Sequence, residues 1–391
     1  MSLKEKVKDA INGQSETFKA ISRYIGQHPE LGHQEFEAAK TLTAELERQG
    51  FTVERGTLGM ETAFIGTYTT AKPGPVAAFL CEYDALQDLG HACGHHLICS
   101  MSLAAAVGLK SVIDELGGTI RVYGTPAEET AGAKVTMAAA GLFDDCDFAL
   151  MAHPYYTFER SGESLAMDAI RFEFHGKAAH AAASPYEGAN ALDGVLQLFN
   201  AVNALRQQTR SDTRIHGIID NGGKAPNIIP DYASAKFYIR SASRAYTNEL
   251  TAKVIRCAEG AALQTGTRLE AAPYELSYDE LLTNETLSGL FTSNLLTNGI
   301  EPSEIETGKD HGSLDLANVS VRCPAIHPYV KITQERYLLH TPEFRDAAMT
   351  EQALDRMIFA AHMLAATAYD VIADPELLAA VKAEFAAKNN R

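Results

Sequence analysis

Positive charge is in short supply in this chain. Lysine and arginine together number 34 against 50 aspartates and glutamates, a formal net charge of −16. No local basic patch offsets that deficit, so a nucleic acid or an anionic membrane is excluded as a partner. Disulfide-framework spacing is also missing. Cys81, Cys93, Cys99, Cys146, Cys257 and Cys323 are scattered, and reduced thiols in a cytoplasmic protein are expected. No apolar run reads as long enough to cross a bilayer, and the charged opening MSLKEKVKDAINGQ lacks the apolar centre of a signal peptide. Low-complexity tracts and internal repeats are absent. What remains is the composition of an ordinary globular protein, 46% hydrophobic and 21% charged, at a length of 391 residues that exceeds one comfortable core and predicts two domains.

Metal-ligating side chains, by contrast, are concentrated. The run CEYDALQDLGHACGHH, Cys81 to His96, packs carboxylates, two cysteines and three histidines between an apolar strand, VAAFLC, and a segment of helical spacing. Soft and borderline ligands gathered in this way point to a metal site. The bland alternative is a loop with a buried free cysteine.

Taken in order, apolar spacing predicts a helix over about 4–27 and another from Phe36 that Gly50 ends. Short strands follow at TVER, TAFIGTY and VAAFLC, then a helix over about 95–116. TIRVYG reads as a strand running into PAEE, with a helix to about Ala140, and DFALMA as a strand ending at His153. Alternating strands and helices imply a layered α/β sheet, with its site at the carboxyl ends of the strands. Asp84, Glu128, Glu129 and His153 would each lie just past such an end. From about residue 165 the order becomes β-α-β-β-α-β, that of a ferredoxin-like unit. The predicted organisation is a catalytic domain over 1–165 and 278–391, with an inserted α+β lid or dimerisation domain over 166–277. The returning chain is predicted to carry helices at about 284–298 and 347–369.

Cys93, His95, Glu129, His153 and His340 are the candidate metal ligands. Five donors suit two open metal sites if one group bridges, and such sites leave room for an activated water. Glu128 would diverge from its neighbour Glu129 and take the proton of that water. Asp84 would orient a ligand.

With these motifs in view, the chain resembles the di-metal aminoacylase and carboxypeptidase family of metallopeptidases, in its amidohydrolase branch. HPELGHQE, EYDAL, GHACGHH, PAEE, GKAAHAAASPYEGANALD, APNIIPD and HTPEF carry the resemblance, in that order. EYDAL followed by GHACGHH is most similar to p-aminobenzoyl-glutamate hydrolases and related N-acyl-amino-acid or dipeptide hydrolases. The resemblance implies an amide hydrolase with two divalent metal ions per chain. Zinc is the default, with manganese, nickel or cobalt as alternatives. It implies the same five ligands, with Glu128 as general base and acid and Asp84 in support. It further implies that His180 steadies the oxyanion and that Asn227 and Arg240 lie near the carboxylate of a small or short-peptide substrate. A homodimer is expected, with a tetramer as the alternative.

Two positions depart from the family pattern. His96 stands where Asp or Asn is common, and is either an alternative ligand or a changed hydrogen bond. Gln87 stands where proline is common. Of the other histidines, His28, His33 and His91 read as structural, and His216 and His311 as candidates to line a cleft. Asp315 belongs either to a polar loop near the site or to a plain turn. Cys99, Cys146, Cys257 and Cys323 read as core. The rival functions are an amidase with Cys93 as nucleophile and a non-catalytic binding protein on the same fold.

Overall fold

The computed structural model describes residues 2–308 and 312–389, so His311 lies outside the described residues. The chain forms two compact units, Met1–Glu163 with Leu281–Arg391, and Ser164–Glu280. In the first, strands Thr52–Arg55, Phe64–Thr69, Thr119–Gly124, Val76–Cys81, Phe148–Leu150 and Ala325–Ile326 hydrogen-bond in that order. The first two pairings are antiparallel and the other three parallel. Val76–Cys81 lies inside the sheet, which is why VAAFLC is a continuous apolar run without alternation.

The expected strand through His153 is two strands. Phe148–Leu150 ends in the large sheet, and His153–Tyr155 begins a smaller one with Tyr329–Lys331, Phe158–Glu159 and Ile305–Glu306. Tyr329 stands opposite His153. The chain returning after the insertion thus completes both sheets.

Helix His95–Leu116 is the core helix. At 22 residues it is long and apolar enough to cross a bilayer, which corrects the expectation that no apolar run is, but it is mostly buried inside the protein. It packs on Val76–Cys81 and Thr119–Gly124 and is covered by helices Leu3–Asn12, Ser15–Gln27 and Glu351–Ala373. Leu97, Ile98, Met101, Leu103 and Leu109 along it are buried, each contributing about 1.5–3 kcal/mol relative to exposure.

The single helix expected over 4–27 is broken. Leu3–Asn12 is closed by Gly13, whose N–H bonds Asp9 O, and Ser15–Gln27 begins afresh. Asn12 and Gly13 have low helix propensity, while Val7, Ile11, Phe18, Ile21 and Ile25 are all buried as their spacing required. Helix Ala133–Ala139 starts late because PAEE and the residues after it form a turn. A final helix, Pro375–Asn389, turns 101° from Glu351–Ala373 at a proline that cannot continue the helix before it.

In the second unit, Arg268–Pro273, Ala166–His175, Tyr232–Ser241 and Arg214–Asn221 form an antiparallel sheet in that order. Helices Ala191–Leu205 and Arg244–Thr265 pack on it around Phe172, Phe174, Leu198, Phe237 and Val254. This is the ferredoxin-like order. Cys99, Cys146 and Cys323 are buried, but Cys257 is only partly so, because it sits on the flank of Arg244–Thr265.

One helix pair makes stability depend on pH. Burial, and then the charge of Lys8, push His362 down from 6.5 to about 4, and its Nε2 has no hydrogen-bond partner. The unfolded chain therefore binds a proton that the folded chain refuses between these values, and stability falls as pH drops through that window. The loss approaches about 3 kcal/mol at its acid end. His362→Leu is expected to flatten this limb in urea unfolding between pH 7 and 4; equal slopes in the two proteins would exclude His362 as the cause.

Candidate metal centre

The site begins at one glycine. Gly94 has φ +80°, and a Cβ there would meet Pro154 Cγ at 2.6 Å. Only glycine takes this left-handed conformation without strain. It turns the chain between Cys93 and the first residue of the core helix, His95, so that both donors face the same space. Cys93 Sγ lies 3.4 Å from His153 Nε2. Near the chain's end, the His340 N–H bonds Ala92 O at 3.0 Å and its Nε2 lies 3.1 Å from Glu129 Oε1.

Cys93, His95 and His153 form one cluster of possible ligand atoms, Cys93, Glu129 and His340 a second, and His95, Glu128 and Glu129 a third; within each, the atoms lie within 4.8 Å of one another. The divergence expected of Glu128 and Glu129 is thus corrected. Strand Thr119–Gly124 has ended, and Ala127 at φ 63° twists the chain so that strand alternation no longer applies.

Hydrogen bonds fix which ring nitrogen faces the cluster. His95 Nδ1 donates to Asp84, with O at 2.9 Å and Oδ1 at 3.0 Å, and His153 Nδ1 donates to Pro154 O at 2.8 Å. Each Nε2 is left as the donor atom for a metal. His95 Nε2 is buried without a hydrogen-bond partner. Asp84 Oδ2 also accepts the Glu129 N–H at 3.0 Å, so one carboxylate sets both a histidine and a glutamate.

Electrostatics agree with a cation site. Burial pushes the Cys93 thiol well up, helped by Glu129. Burial together with Glu82, Glu129 and Asp315 does the same to Glu128. Burial also raises Asp84 and Glu129, but His95 outweighs it for Asp84, and His340 with His95 outweighs it for Glu129. A crowd of anionic donors with an orphaned imidazole nitrogen is what a divalent ion neutralises. The residues fit the metal.

Behind the cluster lies an ion network that the sequence reading missed. Lys134 is fully buried, with Nζ 2.6 Å from Glu82 Oε1 and 2.6 Å from Asp315 Oδ1. Glu82 Oε2 is 3.7 Å from His95 Nε2. Asp315 is therefore no surface turn residue; burial pushes its carboxyl up to about 6 against the pull of Lys134. Glu82 was recoverable, since it stands two residues before Asp84 at a strand end, where side chains two apart share a face. Nothing in AGAKV marks Lys134.

His96 stands outside the three clusters. Its Nε2 donates to Ala348 O at 3.1 Å, and burial pushes its imidazole down to about 4. His91 packs against it with ring centroids 5.1 Å apart. His180, Asn227 and Arg240 belong to the other unit. His180 is exposed, its Nδ1 accepting from the N–H groups of Ala182 and Ala183. The Ala181 N–H bonds Asn227 O at 3.0 Å, tying the two loops together. The Arg240 guanidinium lies over the Tyr238 ring, 5.3 Å from its centroid.

Residues 167–265 match the M20 peptidase dimerisation domain. Over 99% of its length the chain is 37% identical to the Xaa-Arg dipeptidase of Mus musculus, covering 93% of that protein. The chain belongs to the M20 peptidase family. Within it, a p-aminobenzoyl-glutamate hydrolase polypeptide of Escherichia coli (strain K12) is 35% identical over 72% of this chain and 62% of that protein. A putative aminohydrolase from methicillin-resistant Staphylococcus aureus shares the fold at a TM-score of 0.73, with 21% identity over 92% of this chain and 99% of that one. A dinuclear metal-binding M20 peptidase from Bacillus subtilis does so at 0.62, with 19% identity over 90% and 98%. The family resemblance and the α/β fold expected from the motifs hold, and this M20 chain is a hydrolase of the metallopeptidase class.

Proposed function

We propose that this chain hydrolyses the amide bond of a dipeptide, or of an N-acyl or N-aroyl amino acid, that carries a free carboxylate. The observation that carries the reading is the convergence of Cys93, His95, Glu128, Glu129, His153 and His340, drawn from segments far apart in sequence, into overlapping ligand clusters. Xaa-Arg dipeptidase and p-aminobenzoyl-glutamate hydrolase, the names borne by relatives, supply the substrate class.

Cys93, His95, Glu129, His153 and His340 would hold two divalent ions; zinc is the first choice for the mixed donor set, with manganese, nickel and cobalt as alternatives. Bound there, such ions would supply polarisation of the substrate carbonyl and a more acidic water. The protein's own groups do the rest. Asp84 keeps Nε2 of His95 directed at the metal. Glu128 accepts the proton of the attacking water and delivers it to the departing amine. From the second unit, His180 steadies the negative oxygen as the carbonyl becomes tetrahedral, and Asn227 with Arg240 engages the carboxylate. Residues 166–277 act as lid and as the pairing surface of a homodimer, with a tetramer as the alternative, in the cytoplasm.

Elemental analysis together with hydrolysis of N-acetyl amino acids, p-aminobenzoyl-glutamate and dipeptides, including arginine-ended ones, tests this. About two metals per chain are expected for open sites with a bridging ligand, with hydrolysis lost on chelation and restored by metal. Hydrolysis that survives chelation but not alkylation would replace this reading with Cys93 as nucleophile.

A further inference from the structure

Glu35 lies in HPELGHQE, a motif to which the proposed function assigns no task. Its side chain is 0% exposed, and among the described residues no lysine, arginine or histidine lies in ion-pair distance of it. A buried carboxylate left in that state requires hydrogen-bond donors. Among the described residues, Oε2 accepts from the Thr62 hydroxyl at 2.9 Å, and Oε1 accepts from the Ala127 N–H at 2.9 Å. That second donor lies 92 residues away in sequence, in the turn between strand Thr119–Gly124 and the two glutamates.

Ala127 is the residue that shapes the turn. At φ 63° it adopts a left-handed conformation that a side-chain-bearing residue rarely keeps unaided. Gly32, from the same motif, closes against it: a Cβ at Gly32 would lie 2.8 Å from Ala127 Cβ and 2.6 Å from Thr130 Oγ1. On the other side of Glu128, the Glu129 N–H is held by Asp84 Oδ2 at 3.0 Å. The amides flanking Glu128 are thus each bonded to a different buried carboxylate.

We infer that Glu35, with Gly32 packed beside it, is a positioning residue that locks the left-handed turn at Ala127 and so aims Glu128 and Glu129 into the metal clusters. Its effect on turnover rests on the proposed roles of those two glutamates; the clamp on the turn does not. An acceptor oxygen is what the clamp needs, and a negative charge is dispensable. Glutamine at position 35 keeps an oxygen for Ala127 and turns its amide N–H₂ towards the Thr62 hydroxyl, which then accepts.

The test compares wild type, Glu35→Ala, Glu35→Gln and Gly32→Ala by amide hydrogen exchange at Ala127, metal content, melting, and kcat and KM. In wild type the Ala127 amide is expected among the protected ones despite its place in a loop. Glu35→Ala is expected to speed its exchange at least about tenfold and to lower kcat about 100-fold with little change in KM, the scale of a misplaced catalytic group. Glu35→Gln is expected to restore both to near wild type. Gly32→Ala, which leaves Glu35 intact, is expected to reproduce the loss and keeps the test open if Glu35→Ala does not fold. An unprotected Ala127 amide in wild type would overturn the inference. So would lowered melting with unchanged kcat in both alanine variants, or a glutamine variant as impaired as Glu35→Ala. Were wild type with metal to cleave nothing in the substrate panel, the proposed function would fall while the exchange measurements still decided the clamp.

Discussion

Glu128→Gln is expected to lose turnover by roughly 10²–10⁴-fold, the range for removing a general acid–base group, while metal content and substrate KM stay close to wild type. Glutamine preserves shape and hydrogen-bonding reach but accepts no proton, so the loss isolates proton transfer. Glu128 sits in a cluster with His95 and Glu129, and the alternative is that it serves chiefly as a ligand. That role would show as a fall in bound metal, with activity partly recovered at high metal concentration. Single-turnover kinetics beside elemental analysis separates the two outcomes. Activity within about tenfold of wild type, with metal intact, would take Glu128 out of the proton-transfer role.

Lys134→Met is expected to cost about 3–5 kcal/mol of folding stability, the usual penalty for removing one partner of a buried ion network. Lys134 has no exposure. Burial opposes its charge, but Asp315, Glu82 and Glu128 hold the ammonium protonated. Without it, Glu82 and Asp315, both buried, face each other's charge across a methionine. Adding Glu82→Gln and Asp315→Asn should recover much of the loss, because neutral amides bury at lower cost. Urea midpoints for the single and triple variants provide the measurement. A single-variant loss below about 1 kcal/mol would mean that water or structural relaxation replaces the lysine.

Lys134 also marks the boundary of what the sequence reveals. Cys93, His95, Glu129, His153 and His340 could be nominated because each stands in a chemically distinctive run at or beyond the end of an element. The structure brings their donor atoms together. Lys134 and Asp315 are separated by 181 residues, and each looks like an ordinary helix or turn residue until the fold opposes them. Glu35 is similar: a glutamate before a helix reads as a solvated acid near a helix start, and only its burial and its bonds from Thr62 and Ala127 distinguish it. Periodicity found the buried faces of the first helices but not the break at Gly13, since the apolar stripe continues across it. The switch of sheets between Leu150 and His153 was not legible either, because each strand is only three residues long and buried throughout, so neither shows an alternating pattern. For His96 the sequence leaves a ligand and a changed hydrogen bond as alternatives, and the structure shows its Nε2 bonded to the Ala348 carbonyl.

The return of the chain through both sheets has a consequence for biosynthesis. Ala325–Ile326 pairs with Phe148–Leu150, and Tyr329–Lys331 with His153–Tyr155, so neither sheet can close when its first strands leave the ribosome. His340 follows His153 by roughly 190 residues, on the order of 10–40 s of translation. Over that interval the nascent chain carries unpaired strand edges, and the cluster of Cys93, Glu129 and His340 lacks its last member. The second unit, whose strands all lie within Ala166–Pro273, can fold in the meantime. With His340 as a proposed ligand, the full ligand set exists only once that residue has been made, and a product truncated before Ala325 is expected to be both edge-exposed and short of one ligand.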